Sequence, residues 1–263
     1  MNEKNITLDA LTTARMGRQT LSLSSTGSTN DFVKAHAHQL VSGAAVYTTR
    51  QTAGKGRRGK TWFGDDGQSL ALSVLLRGVT PHTQPALPLC CGLSVLEGLT
   101  ELTGAVFSVK WPNDVLCHEK KISGILCESF SLNGEFAAVL GMGVNLCQTR
   151  DELDAAGLPF AGSLLSETER AVEIEDVITA ILNRLEPVIL ACERDGFSAI
   201  QARYEAPCIN IGRTVRVQYE TRERTGVATG IGPDGALLVV CNGETLSVRS
   251  GEASVRGLYG YGT

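Results

Sequence analysis

Residues 122–130 and 136–146 are two strand-length apolar runs, and Asn133-Gly134 lies between them. An Asn-Gly pair readily takes the two positive φ angles of a tight hairpin turn, so these runs are expected to pair antiparallel. Further strands are expected at residues 44–49, 69–76 and 107–109, with a short alternating stretch at 21–23. Residues 31–40 read as a short helix. Residues 87–103 carry Leu89, Leu93, Leu96 and Leu99 at helical spacing, with Gly104 as a stop. Residues 173–190 place Ile174, Val177, Ile178, Ile181, Leu182 and Leu185 on one helical face, and Pro187 should kink or end that helix. After Pro207 the pattern changes. Short strands at 215–219, 226–230, 236–240 and 245–248 are split by Pro233-Asp234-Gly235 and Asn242-Gly243, which predicts a small all-β unit. The boundary falls near Cys208, giving units 1–207 and 208–263.

The 263 residues suffice for one sizeable α/β core with a small second unit. With 43% hydrophobic and 20% charged residues, the composition is that of an ordinary globular chain and points away from disorder. A net charge of −4 gives no global attraction for nucleic acid or an anionic membrane. No apolar run reaches the roughly 20 residues of a spanning helix, and residues 1–18 lack the apolar core of a signal peptide. The expectation is a cytoplasmic protein with no membrane and no nucleic-acid partner. The eight cysteines sit in apolar runs without Cys-x-x-Cys spacing, so buried free thiols are expected, not disulfides or zinc. The four histidines complete no ligand set with them.

The densest chemical signal is Gly54-Lys55-Gly56-Arg57-Arg58-Gly59-Lys60-Thr61-Trp62. Glycines let the main chain turn N–H groups toward one anion, and interleaved Lys and Arg add full charges. The implied ligand is compact and anionic. The stretch also fits a P-loop, but a P-loop needs a helix directly after it, and Trp62-Phe63-Gly64-Asp65-Asp66-Gly67 is turn-like.

Three more motifs follow. In Lys110-Trp111-Pro112-Asn113-Asp114, an amide and a carboxylate suit a ribose, a phosphate-bound Mg²⁺ or a water, although a plain strand-end turn uses the same chemistry. In Lys120-Lys121-Ile122-Ser123-Gly124, a lysine at the mouth of an apolar strand can meet a carboxylate or phosphate, and Gly124 admits close approach. Gly141-Met142-Gly143-Val144-Asn145 places glycines within a strand, which implies either close backbone approach or a β-bulge.

Taken in this order, with Ser28-Thr29-Asn30 ahead of them, these motifs resemble the biotin–protein ligase family from about Leu21 to Gly257. The resemblance implies an α/β (α+β) protein: a catalytic domain with a mixed, curved β-sheet of the biotin/lipoate ligase type, then a small SH3-like β-barrel. It implies that Ser28, Thr29, Asn30 and Gln51 line a biotin site. Lys55, Gly56 and Arg57 would close over biotin and the adenylate, with Lys60 and Trp62 at the nucleotide. Lys110, Asn113 and Asp114 would serve ATP, Lys121 would reach both the biotin carboxylate and the α-phosphate, and Gly124 and Asn145 would add contacts. Lys55 stands where the family usually has arginine, which keeps the charge and loses the bidentate fork. The short stretch before Ser28 leads to the expectation of the ligase-only kind, without an N-terminal DNA-binding domain.

The activity so implied activates biotin with ATP and Mg²⁺ and transfers it to a lysine of a biotin carboxyl carrier domain. Lys121, Arg57, Lys55 and Asp114 carry the catalytic burden; the metal's ligands are unassigned, and a homodimer is compatible with the family. The alternative enzyme is a lipoate–protein ligase. A nucleic-acid-binding module is the rival of another class, disfavoured by the net charge and by only fourteen aromatic side chains for stacking.

Overall fold

The computed structural model describes residues 3–62, 67–218, 223–250 and 254–257. Tyr219, the end of one expected strand, and the turn-like residues 63–66 lie outside them. The chain opens with β1 (Glu3–Asn5), β2 (Thr20–Leu23), α1 (Thr29–Ala35), β3 (Ala45–Thr48) and β4 (Ser69–Arg77). Then come α2 (Leu87–Thr103), β5 (Phe107–Lys110), β6 (Asp114–Cys117), β7 (Lys120–Leu132) and β8 (Glu135–Asn145). Helices α3 (Arg150–Ala155), α4 (Leu164–Thr168), α5 (Ile174–Asp195) and α6 (Gln201–Glu205) follow. Last are β9 (Thr214–Gln218), β10 (Glu223–Ile231), β11 (Leu237–Cys241), β12 (Glu244–Val248) and β13 (Ser254–Gly257).

The fold is mixed α/β. An eight-stranded sheet has the order β1-β2-β3-β4-β8-β7-β6-β5, and β2 and β3 run parallel within it. The expected hairpin lies within it, beside β4: Asn133 and Gly134 take φ of 54° and 83°, and β7 pairs with β8 from Ser123↔Val144 to Leu132↔Glu135. The strands after residue 213 form a separate antiparallel sheet, ordered β12-β11-β10-β9-β13.

Helices α2 and α5 cover one face of the large sheet and α1 covers the other. At the α2–α5 contact, a Cβ on Gly98 would lie 2.8 Å from the Ala180 backbone, so glycine permits the close crossing. The expected apolar face of α5 is buried except for the half-buried Ile174, and Pro187 does not end the helix, which continues to Asp195. A helical proline costs about 3 kcal/mol, and the buried Val188, Ile189 and Cys192 hold the next turn in place. Helix α1 starts at Thr29, because Ser28 is extended (φ −152°, ψ 133°), and stops at Ala35, because His36 leaves helical geometry (φ −105°, ψ 10°).

Two expectations are corrected. Residues 84–103 are long and apolar enough to cross a membrane, yet most of that stretch is buried inside the fold, so α2 is a core helix. The cysteines are free thiols, but Cys147 is exposed, and packing brings Cys90 Sγ to 3.3 Å from Cys192 Sγ and Cys91 Sγ to 3.9 Å from Cys127 Sγ.

The two sheets meet at Trp111, which is 2% exposed. Its backbone N–H donates to Asn210 Oδ1 (2.7 Å) and its indole N–H to the Gly235 carbonyl (3.0 Å). Val109 N–H donates to the Pro207 carbonyl and Ile209 N–H to the Val109 carbonyl, both at 3.0 Å, so the connecting segment blunts the β5 edge. Trp111→Ala should therefore cost about 3–5 kcal/mol. Urea denaturation checks this, and a loss below about 1 kcal/mol would mean that the two sheets are not joined through Trp111.

Candidate functional site

A cavity of about 580 Å³ lies over β7 and β8, walled by the start of α1, the basic loop and the β5–β6 turn. Ser28, Thr29, Asn30, Gln51, Lys55, Gly56, Arg57, Lys60, Trp62, Lys110, Asn113, Asp114, Lys121 and Gly124 all line it. With Arg58, six cationic side chains face one carboxylate, Asp114, among the described lining residues. The chain as a whole is acidic, so this positive field is local.

At one end, hydrogen bonds fix the first turn of α1. Gln51 Oε1 accepts from Thr29 N–H (2.9 Å), one of the donors a helix start leaves unpaired. The Asn30 amide donates to the Leu126 carbonyl (3.1 Å) and Glu128 Oε2 (2.8 Å). Buried Ser73 Oγ lies 2.7 Å from both Thr29 Oγ1 and Asn30 Oδ1. A Cβ on Gly141 would sit 2.4 Å from Asn30 Oδ1, so that glycine leaves room for the amide.

The basic loop folds back on itself. Trp62 N–H donates to the Gly54 carbonyl (3.0 Å), Gly56 N–H to the Lys60 carbonyl (2.6 Å), and Lys55 bridges to Thr61. Gly59-Lys60-Thr61 therefore opens no helix, and the P-loop alternative fails on geometry. Arg57 donates to Asn113 Oδ1 (2.8 Å) and to the Ser250 carbonyl, so it ties the loop to both sheets. Burial lowers the pKa of its guanidinium, against the opposing pull of Asp114. Lys55 Nζ lies 2.6 Å from Asp31 Oδ2, and Asp31 also pairs with Lys34 at 3.2 Å. The hydrogen bond from Lys55 is the main reason the Asp31 carboxyl is held below its ordinary range.

The other end is built on glycine. The Trp62 indole lies flush on the sheet: a Cβ on Gly124 would come 2.7 Å from Trp62 Cζ3, and one on Gly143 2.5 Å from Trp62 Cε2. The β7–β8 and β4–β8 registers run unbroken past Gly143, so the glycines answer to close approach and not to a bulge.

A bulge does occur at the lysine motif. The β6–β7 register shifts between Val115↔Ser123 and Leu116↔Lys121, leaving Ile122 as an extra residue. Strand side chains alternate, so residues three apart ordinarily face opposite ways. The bulge puts Lys121 on the same side as Gly124, whose Cβ would lie 3.1 Å from Lys121 Nζ. Lys121 Nζ then sits 2.6 Å from Asp114 Oδ1 and 5.6 Å from the Trp62 ring centroid. Lys120 points elsewhere and donates to the Pro159 carbonyl (2.6 Å).

Asn145 is the expected site residue that does not line the cavity. It is 6% exposed, and its amide donates to the Gly162 carbonyl (2.8 Å) and toward the Lys121 carbonyl (3.4 Å). Phe160, which does line the cavity, carries no sequence signal; a β-bridge between Lys121 and Ala161 brings its segment there.

Residues 22–145 match the model of the biotin/lipoate A/B protein ligase family, and residues 211–256 match the biotin protein ligase C-terminal domain. A biotin–[acetyl-CoA-carboxylase] ligase of Mycobacterium tuberculosis is 33% identical over 243 residues, 89% of this chain and 88% of that protein. The bifunctional ligase/repressor BirA of Escherichia coli is 30% identical, over 87% of this chain and 71% of its own length. The Aquifex aeolicus biotin protein ligase solved with biotin and ATP superposes with a TM-score of 0.78 at 28% identity, covering 90% of this chain and 98% of the other.

The geometry makes two predictions. Gly143→Ala should displace the indole, visible as a red-shifted Trp62 emission in a Trp111→Phe background; an unshifted spectrum would mean that the ring does not rest on Gly143. For Asp31, a lowered folded pKa means the Lys55 contact stabilises the fold above the ordinary carboxylate value and is lost as pH falls through the lowered one. An NMR titration should give Asp31 a midpoint below about 3.9, returning toward that value in Lys55→Met. Equal midpoints in the two proteins would remove Lys55 as the cause.

Proposed function

The chain belongs to the biotin–protein ligases of the biotin/lipoate A/B ligase family, and we propose that this cavity joins biotin to ATP beside Lys121. The protein is an ATP-dependent ligase that attaches biotin to protein; the lipoate alternative is not favoured. The acceptor we propose is a lysine of a biotin carboxyl carrier domain. Residues 1–207 would form the catalytic unit and 208–263 the small second unit.

The observation that carries the residue assignment is the layout of one cavity. Hydrogen-bonded side chains of α1 stand at one end, an indole on a glycine floor at the other, and cations between them. Biotin's ring system would meet Ser28, Thr29, Asn30 and Gln51, and adenine would lie near Trp62. The biotin carboxylate attacks the α-phosphate, and pyrophosphate leaves. An acceptor amine then attacks the carbonyl of the mixed anhydride, and AMP leaves. The first step brings two anions together, so the task is neutralisation and alignment. Lys121 would stand between carboxylate and α-phosphate, with Lys55 and Arg57 closing over the adenylate and Lys60, Lys110 and Asn113 along the nucleotide.

No cluster of three metal-ligating side chains occurs among the described residues. A Mg²⁺ carried by the triphosphate needs only one or two carboxylates, and Asp114 on the cavity wall fits that role. The bound ion would neutralise phosphate charge, while Asp114 also keeps Lys121 in place.

Biotin-dependent exchange of labelled pyrophosphate into ATP tests the first half-reaction without an acceptor. Lys121→Ala should reduce exchange by about 10²–10³, the scale of losing one stabilising group at a developing charge. Lys120→Ala should be mild. Equal rates in the two variants would sink the assignment of Lys121.

A further inference from the structure

We infer that Arg150 and residues 158–162 form a clamp that positions Lys121 for the first half-reaction, an inference that rests on the role of Lys121 proposed above. The bulge on the β6 edge aims the Lys121 side chain, while on the opposite edge of β7 the pairing with β8 stops at Ser123↔Val144 and leaves the Lys121 backbone without a β8 partner. The 158–162 segment supplies the missing partners. Lys121 N–H donates to the Phe160 carbonyl (2.8 Å), and Gly162 N–H donates to the Lys121 carbonyl (2.9 Å). The segment thus adds a short parallel rung beside the start of β7, far away in sequence.

Arg150 holds that rung. One guanidinium nitrogen donates to the Ala161 carbonyl (2.7 Å), and the other to the Leu158 carbonyl (3.2 Å) and Asp154 Oδ1 (2.8 Å). Its own backbone is fixed by the capping box of α3, in which Thr149 N–H donates to Glu152 Oε2 (2.7 Å) and Glu152 N–H to Thr149 Oγ1 (3.3 Å). From behind, the Asn145 amide ties Gly162 to Lys121. There is no slack for a side chain at Gly162, where a Cβ would lie 2.8 Å from both Glu167 Cγ and Lys120 Cβ. A planar fork that grips two carbonyls of one turn is a task for arginine that lysine cannot repeat.

Arg150 lies outside the cavity lining, so it acts through Lys121 and is a positioning residue. The hydrogen bonds of the biotin end, built on α1, run to Gln51, Ser73, Leu126 and Glu128, all outside the clamp. Loss of the clamp should therefore slow the chemical step and leave biotin affinity alone, because a small misplacement of an aligning charge is costly in rate.

The experiment is single-turnover formation of biotinyl-adenylate with labelled ATP, in the parent, Arg150→Ala and Arg150→Lys. Amplitude reads the competent fraction of enzyme, and the rate constant reads alignment within it. Arg150→Ala should lower the rate constant roughly ten- to hundredfold, with the biotin dissociation constant unchanged. Arg150→Lys should recover part of the rate. A lower rate constant in the competent fraction supports the clamp whatever the amplitude. An unchanged rate constant overturns it, and a loss confined to amplitude would make Arg150 merely structural. A parent that forms no adenylate with biotin would instead overturn the ligase reading on which the clamp rests.

Discussion

Six cationic side chains crowd one cavity of an acidic chain, and their mutual repulsion is the constraint around which the site is built. Each key cation is held by a fixed acceptor. Lys55 has Asp31, Arg57 has Asn113 and the Ser250 carbonyl, and Lys121 has Asp114. These acceptors come from α1, the β5–β6 turn and the second sheet, so the charges stay in register only while those elements stay packed together. The partly exposed Lys55–Asp31 pair contributes little stability by itself. Its use is geometric: it holds the rim of the loop above the first turn of α1.

The apolar framework serves the same purpose from below. Glycines at 124, 141 and 143 leave the sheet bare where an indole and an amide must lie against it. Trp111 seals the other side, with its backbone bonded to Asn210 and its ring to Gly235. This junction keeps the second sheet near the cavity and places the Ser250 carbonyl within reach of Arg57.

Much of the frame was legible in the chain. The Asn133-Gly134 turn, the α2 and α5 faces and the later strand-rich unit follow from local periodicity, which needs no long-range information. Context decided the rest. Pro187 sits inside a helix because the buried side chains after it outweigh its cost. Residues 84–103 have a membrane-like composition because a helix buried on most of its surface needs apolar residues all round. The short α3, α4, β1 and β6 escaped because few residues carry too little pattern.

The inventory of the site is written along the chain: a glycine-rich cationic loop, an amide-bearing turn, a lysine beside a strand and a glycine-spaced strand, in a fixed order. Residue type and spacing carry that information directly. The tertiary structure supplied the physical reason that Lys121, already singled out by the family resemblance, enters the cavity and Lys120 does not: a bulge at Ile122 reverses the alternation that spacing would predict. It also decided that Gly143 supports an indole, that Asn145 lies behind the wall, and that Arg150 and residues 158–162 reach Lys121 at all. Those are contacts between segments far apart in the chain. Their geometry is set by packing, and packing has no local signature.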